Sequence, residues 1–482
     1  MLLHRFYDAK LAQASFLVGC QATGEAIIID PNRDVEQYLT LARVEGLHIT
    51  HVTETHIHAD FVSGARELAG RTGARLLLSG EGGTDWQYAF AESDGATLLH
   101  DGDEIRVGNV RLQAVHTPGH TPEHLTFLLT DLAATDQPMG AFTGDFIFVG
   151  DVGRPDLLER AAGESDTMEA SARTLYQSLQ RFRAQPDHLQ LWPGHGAGSA
   201  CGKALGAVPT TTLGYERQVN WAFADMTEDQ FVERVLAGQP EPPRYFAMMK
   251  RINREGPSRQ YEHPAPHRLD APHVLQVVGA RDTVVVDLRP AVQVAHAYVP
   301  GTLNIPMSRA FPNWAGALLP YDRTVYLIAA DEDGTSAREA VHDLSRIGID
   351  RVGGWFPPSA VEEWANWSGR ATETIQQMDP DAVARDLEVG RRVVVDVRGR
   401  EEWSATHIPG ATNIPLAELD AHLDELGPDD HVVVHCQSGL RSAIAASLLK
   451  SHGVDAANLA GGMAEWERRG LPVEHADAPP AT

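Results

Sequence analysis

The chain has 482 residues, enough for two to four domains with cores of their own. It is 43% hydrophobic and 22% charged, the balance of a globular protein, and its formal net charge of −26 repels phosphate backbones and argues against nucleic acid as a main partner. No run of 18 apolar residues occurs and "MLLHRFYDAKLAQASF" has no long apolar core, so neither a membrane span nor a secretory leader is expected, and a cytoplasmic location is.

From the N-terminus, short apolar runs alternate with helical patterns. "GEAIIIDP" (24–31), "GARLLLSG" (73–80) and "AFTGDFIF" (141–148) predict buried strands that end in polar turns. "SGARELAGRTG" (63–73) and "EASARTLYQSLQRF" (169–182) space their apolar residues three to four apart and predict helices. Residues 1–250 therefore form a layered α/β domain. "REGPSRQYEHPAPHRLDAP" (254–272), rich in proline and charge, predicts a linker, taken as 251–271. Beyond it the chain repeats itself. "VVVDLRPAVQVAHAYVPGTLNIP" begins at Val284 and "VVVDVRGREEWSATHIPGATNIP" at Val393, 109 residues apart. That period is the size of a domain and too long for a solenoid unit. The pattern gives two copies of one small α/β domain, 272–370 and 371–475, and a polar tail, 476–482. Cys20, Cys201 and Cys436 are too few and too scattered for a disulfide framework and suit a reducing compartment with at least one reactive thiol.

Candidate metal ligands sit at the ends of apolar runs. They are His56, His58 and Asp60 in "THIHADF", His120 in "VHTPGHTPEH", Asp145 in "FTGDF" and His195 in "WPGHG". Imidazole and carboxylate are the usual donors to zinc or iron. One such histidine is ordinarily structural. Four such turns, three of them histidine-bearing and each beside Gly, Pro or Thr, are hard to assign to packing alone.

The order HxHxDx, PGHT, TGD, PGH resembles the metallo-β-lactamase fold, in which two β-sheets are sandwiched by helices, and the resemblance covers residues 1 to about 250. Dinuclear members end the first motif in a histidine that binds the second metal. Here that position is Phe61, whose ring has no lone pair to donate. The resemblance is then to the mononuclear persulfide dioxygenases. It implies one Fe(II) per chain on His56, His120 and Asp145, with His58, Asp60 and His195 orienting the ligands and bound water. It also implies that Arg154 in "DVGRPDL" pairs with a substrate carboxylate. Cys201, a few residues after His195, is a candidate thiol at the same site. His116 and His124 flank the PGHT turn as supports, and Cys20 and His51 read as structural.

"VVVHCQSGLRSAIAAS" (432–447) predicts a strand, a tight loop opening at Cys436 and a helix starting near Arg441. A loop that feeds a helix points N–H groups into a small concavity and favours a thiolate. Cys436, Gln437, Ser438, Gly439, Leu440 and Arg441 match the CxxGxR loop of rhodaneses. "DVR" at Asp396, "HIPGATNIP" at His407 and "GGMAEW" at Gly461 extend that resemblance over about 100 residues. The corresponding loop of the first copy, "IAADEDGTSARE" (328–339), has no cysteine and carries Asp331, Glu332 and Asp333, which implies a copy without catalysis.

The expected fold is α/β: an αββα metallo-β-lactamase sandwich followed by two rhodanese-like domains with parallel sheets. This order resembles bacterial fusions of a persulfide dioxygenase to an inactive and then an active rhodanese. It implies oxidation of a small thiol persulfide by O2 to sulfite, with Cys436 carrying sulfane sulfur to or from thiosulfate. Members of the metallo-β-lactamase fold often dimerise, so a homo-oligomer stays open. The rival readings are a zinc hydrolase of the glyoxalase II kind and a sulfur-relay protein that binds persulfides without oxidising them.

Overall fold

The computed structural model describes residues 1–157, 167–203, 205–239, 241–259, 265–427 and 430–475; the expected tail 476–482 lies outside them. The chain divides into two compact units, Met1–His263 with Ser345–Gly348, and Pro264–Leu344 with Ile349–Thr482.

The first unit holds two six-stranded sheets. One runs β1 (Leu2–Asp8), β2 (Gln13–Cys20), β3 (Glu25–Ile29), β4 (His48–Thr53), β5 (Arg75–Ser79), β6 (Thr97–Leu99), neighbours in that order. The other comprises β7 (Glu104–Val107), β8 (Val110–His116), β9 (Leu125–Asp131), β10 (Gly140–Gly144), β11 (Gln190–Pro193) and β12 (Thr211–Thr212), again as neighbours. Period-two alternation builds the layers. Phe16, Val18, Ile27 and Ile29 face Leu112, Phe127 and Phe142 between the sheets. Leu17, Ile28 and Val52 point the other way, onto Tyr38 and Ala42 of the helix Glu36–Val44 and Leu68 of Ala65–Thr72. Leu128, Ala141 and Leu191 pack on Leu175 and Leu179 of the helix Met168–Phe182. Each buried Leu or Phe contributes about 1.5–3 kcal/mol of transfer free energy. The expected αββα sandwich is present.

Two expectations shift. The run 141–148 is strand only to Gly144, whose φ of 47° turns the chain and delivers Asp145 off the sheet. The linker does not start at 251, because the helix Phe246–Glu255 crosses that point and buries Asn253. Its end is not loose either: Leu269 N–H donates to the carbonyl of Trp355 at 2.8 Å.

The second unit holds two parallel sheets. The first is ordered β14 (Leu303–Asn304), β13 (Thr283–Asp287), β15 (Thr324–Ile328), β16 (Val352–Phe356). The second is ordered β19 (Thr412–Asn413), β18 (Val393–Asp396), β20 (Val432–His435), β21 (Ala456–Leu459), β17 (Gln377–Met378). The shared order extends to side chains. Asn304 Nδ2 donates to the carbonyls of Asp287 (2.7 Å) and Arg289 (3.0 Å), and Asn413 Nδ2 to those of Asp396 (2.9 Å) and Arg398 (2.9 Å).

Candidate functional site

The first site lies where strands end. β4 stops at Thr53, β8 at His116, β10 at Gly144 and β11 at Pro193, and the turns that follow carry His56–Asp60, His120, Asp145 and His195. Parallel pairing of β3 with β4 and of β10 with β11 gathers these turns.

His56, His120 and Asp145 come together: one donor atom from each lies within 4.8 Å of the others, and all three residues are buried. Each imidazole is anchored through Nδ1. His56 Nδ1 meets Thr55 Oγ1 (2.9 Å), His120 Nδ1 the carbonyl of Arg154 (2.9 Å) and His195 Nδ1 the carbonyl of Ala12 (3.1 Å). Thr55 Oγ1 itself donates to Asp30 Oδ2, so His56 Nδ1–H is the donor in its pair. Every Nε2 then turns inward. His120 Nε2 is 3.4 Å and His56 Nε2 3.9 Å from Asp145 Oδ2, and His195 Nε2 is 3.4 Å from Asp145 Oδ1. Neither Asp145 oxygen has a hydrogen-bond partner among the described residues. Lone pairs thus face a carboxylate with no proton between them, which a cation resolves. The donor set fits a divalent metal.

The surroundings keep the nitrogens free. Burial, reinforced by the neighbouring histidines, holds His56 well below the ordinary imidazole range, and burial lowers His120 despite Asp145. His58 goes the other way. Burial opposes its charge, but Asp30 at 3.2 Å, with Glu54 and Asp60, lifts it to about 9. His58 is therefore turned to Asp30 rather than into the metal triad, and Phe61 packs on its ring at 4.4 Å. Asp60 sits 3.3 Å from His195 Nε2 and is raised by burial. Cys201 joins Asp60 and His195 in a second buried group, and burial next to Asp60 and Asp145 pushes its thiol well above its usual value. A protonated thiol is a poor nucleophile.

Arg154 corrects an expectation. Its side chain is fully buried and paired with Asp156 (3.0 and 2.7 Å) and the carbonyl of Ala200 (3.1 Å), so its head group is committed inside the chain. A buried guanidinium needs such partners. Its part at the site is the carbonyl that holds His120. Gly153 beside it has no room for a side chain: a Cβ there would lie 1.8 Å from the carbonyl oxygen of Asp145.

Several residues were missed. Asn253 accepts from Ser63 N–H and donates to the carbonyls of His58 and Phe61, clamping the first motif. Glu123, raised to about 7 by burial, accepts from Ile57 N–H at 2.8 Å. Ala12 and Asp30, both at φ 52°, are the only described non-glycine residues with positive φ, and each holds a site histidine. Strained backbone of this kind concentrates at functional sites. His124 was placed correctly beside its turn: its Nε2 accepts from Asp145 N–H (3.1 Å) and its ring stacks on His56. His116 bonds the carbonyl of Pro122 at 2.7 Å.

The second site is one loop. β20 ends at His435, and the helix Leu440–Ser451 begins four residues after Cys436. Gly439, at φ 108°, points its N–H at Cys436 Sγ (3.1 Å), and Ser442 Oγ, which the sequence did not single out, lies 3.5 Å from it. Arg441 is held by Glu402 through two bonds of 2.6 and 2.7 Å, so its charge is partly balanced. Gln437 Oε1 accepts from Arg398, itself clamped to Asp396. Ser438 lies in the turn, and Leu440 is exposed. Register places Ala329 of the first copy where Cys436 stands, since Ile328 pairs with Asp287 as His435 pairs with Asp396.

The metallo-beta-lactamase superfamily matches residues 9–195, and the rhodanese-like domain matches residues 379–469. The mitochondrial persulfide dioxygenase ETHE1 of Mus musculus is 31% identical over 203 residues, 40% of this chain and 68% of that protein. A probable metallo-hydrolase of Burkholderia pseudomallei is 28% identical over 258 residues, 48% of this chain and 84% of that protein. The crystal structure of a metallo-beta-lactamase from Staphylococcus aureus subsp. aureus COL covers 74% of this chain and 99% of its own, with 42% identity and a TM-score of 0.66. No described helix is long and apolar enough to cross a membrane. The chain belongs to the metallo-beta-lactamase superfamily, has persulfide dioxygenases among its relatives, and carries a rhodanese-like domain in its C-terminal part.

Proposed function

We propose that the chain oxidises a low-molecular-weight thiol persulfide at the first site and moves sulfane sulfur at the second. The observation that carries the reading is the Asp145 carboxylate, buried, unpartnered among the described residues and facing two imidazole nitrogens, in a chain whose first motif ends in Phe61. Two histidines and one carboxylate suit one Fe(II) with open positions. When bound, that ion supplies coordination for O2 and for the persulfide sulfur, and the electrons that activate oxygen.

The chain's own residues do the rest. Thr55 and the carbonyl of Arg154 fix the ligand rings, and burial of His56, His120 and Asp145 keeps bulk water out. His58, paired with Asp30 at 3.2 Å, stays turned away from the ligand triad and fixes the first motif in place. The reaction balances as RSSH plus O2 plus H2O giving RSH, sulfite and two protons. At the second site Cys436 takes a sulfane sulfur as its own persulfide, and attack by sulfite on that sulfur releases thiosulfate. Run backwards, thiosulfate loads Cys436. The persulfide dioxygenase relative and the rhodanese-like match support a joint role in sulfide detoxification.

The test is O2 uptake by the iron-loaded chain with glutathione persulfide, alongside metal analysis. One O2 consumed per sulfite formed, with one iron per chain, is expected. One zinc per chain, thioester hydrolysis and no O2 uptake overturn the reading in favour of a hydrolase. Persulfide binding without O2 uptake overturns it in favour of a relay.

A further inference from the structure

A cavity of about 490 Å³ opens against the Cys436 loop. Ser438, Gly439 and Asn458 form one side of it. The other side is Ala295 and His296 of the helix Ala291–His296, which belongs to the copy without a cysteine. Gly439 connects this space to the sulfur, because it lines the cavity and its N–H donates to Cys436 Sγ.

Size and charge both speak about the occupant. Sulfite and thiosulfate fill a small part of such a volume, whereas cavities of roughly 300–1,000 Å³ take organic ligands. No lysine or arginine lines the cavity among the described residues, so nothing there is matched to an inorganic dianion. The lining is mainly aliphatic with a few placed polar groups. Asn458 is 5% exposed, its amide NH2 donates to Gln377 Oε1 at 2.8 Å, and its Oδ1 has no hydrogen-bond partner among the described residues. That oxygen is enclosed, so the polar groups an occupant can reach are the Ser438 hydroxyl, the Gln377 amide and the imidazole of His296, which suit the amide and carboxylate groups of an organic ligand. His296, exposed at the rim, offers a ring N–H to a carboxylate or carbonyl.

We propose that this cavity seats the organic part of an amide-bearing low-molecular-weight thiol, and that the cysteine-free copy serves as the wall that selects it. The inference rests on Cys436 being a sulfur carrier and names its donor as an organic persulfide. The Cys436 thiolate attacks the terminal sulfur of RSSH. A new S–S bond forms on Cys436, the S–S bond of the carrier breaks, and the departing RS⁻ takes the proton that the terminal sulfur gives up.

The experiment measures binding of S-methylglutathione and S-methyl-coenzyme A to the full chain by calorimetry; neither carries sulfane sulfur. At least one is expected to bind, and Ala295→Trp, which fills the cavity, weakens it tenfold or more. Val292→Trp, at a position already 65% exposed, is a second blocker that folding tolerates and gives the same loss. Failure of both analogues to bind, binding unmoved by both blockers, or displacement of the analogue by thiosulfate overturns the proposal. Cys436→Ser is expected to bind the analogue like the parent chain. Absence of sulfur loading from every donor with analogue binding intact sinks the sulfurtransferase reading and leaves the thiol site standing.

Discussion

At the first site the groups that meet the metal position are side chains, delivered by turns after four different strands. At Cys436 the nearest groups are the N–H of Gly439 and the hydroxyl of Ser442, and both belong to one short loop and its helix. The first plan depends on the whole sandwich and on partners deep inside it. The second depends on one stretch of backbone. Damage should therefore spread from the first site into stability and stay local at the second.

The largest effect separates the two chemistries. Asp145→Ala removes the carboxylate that faces both imidazoles, and bound metal and O2 uptake are expected to fall by about 100-fold. Cys436→Ser should abolish sulfur loading, read by mass spectrometry, and leave O2 uptake with glutathione persulfide within about twofold, since its loop supplies none of the proposed ligands. Equal loss of both activities in either variant breaks the comparison.

Next come the ion pairs. Asp156→Asn strands a fully buried Arg154 and is expected to cost about 3 kcal/mol in chemical denaturation. It should also weaken metal binding about tenfold, because the same residue's carbonyl anchors His120. Glu402→Gln removes a pair that is 23% and 40% exposed and should cost about 0–1 kcal/mol.

The smallest effect is a pH dependence. Burial raises Glu123 to about 7 from 4.5, so its contribution is complete below about 4.5 and is lost as pH rises through about 7. Glu123→Gln keeps an oxygen for Ile57 N–H and cannot ionise. Its melting temperature, compared with the parent, should gain between pH 5 and pH 8; an unchanged difference would remove the proposed burial effect.

The same contrast explains what the sequence disclosed. The thiol loop was readable almost whole, since its residues are contiguous and the fold keeps them so. The proposed metal ligands stood out because each sits in a short polar turn at the end of an apolar run. Their supports were not. Asn253 reaches the carbonyl of His58 across 195 positions, and Glu123 reaches Ile57 across 66. Neither lies in a pattern that periodicity detects, and Asn253 fell inside a stretch read as linker from its composition. Arg154 was misread for a related reason: sequence gives residue type, while its burial follows from Asp156 and a carbonyl 46 positions away.

The anchoring of the three imidazoles through Nδ1 has a further consequence for the chemistry of acid. Each ring has already committed one proton outward, so the next proton must land on Nε2, the atom turned toward the metal position. Hydrogen ions and a divalent cation therefore compete for the same atoms. Because burial depresses protonation of His56 and His120, that contest opens only on the acid side of the ordinary imidazole range. The centre is protected from mild acidification by the same layers of packed side chains that hide it.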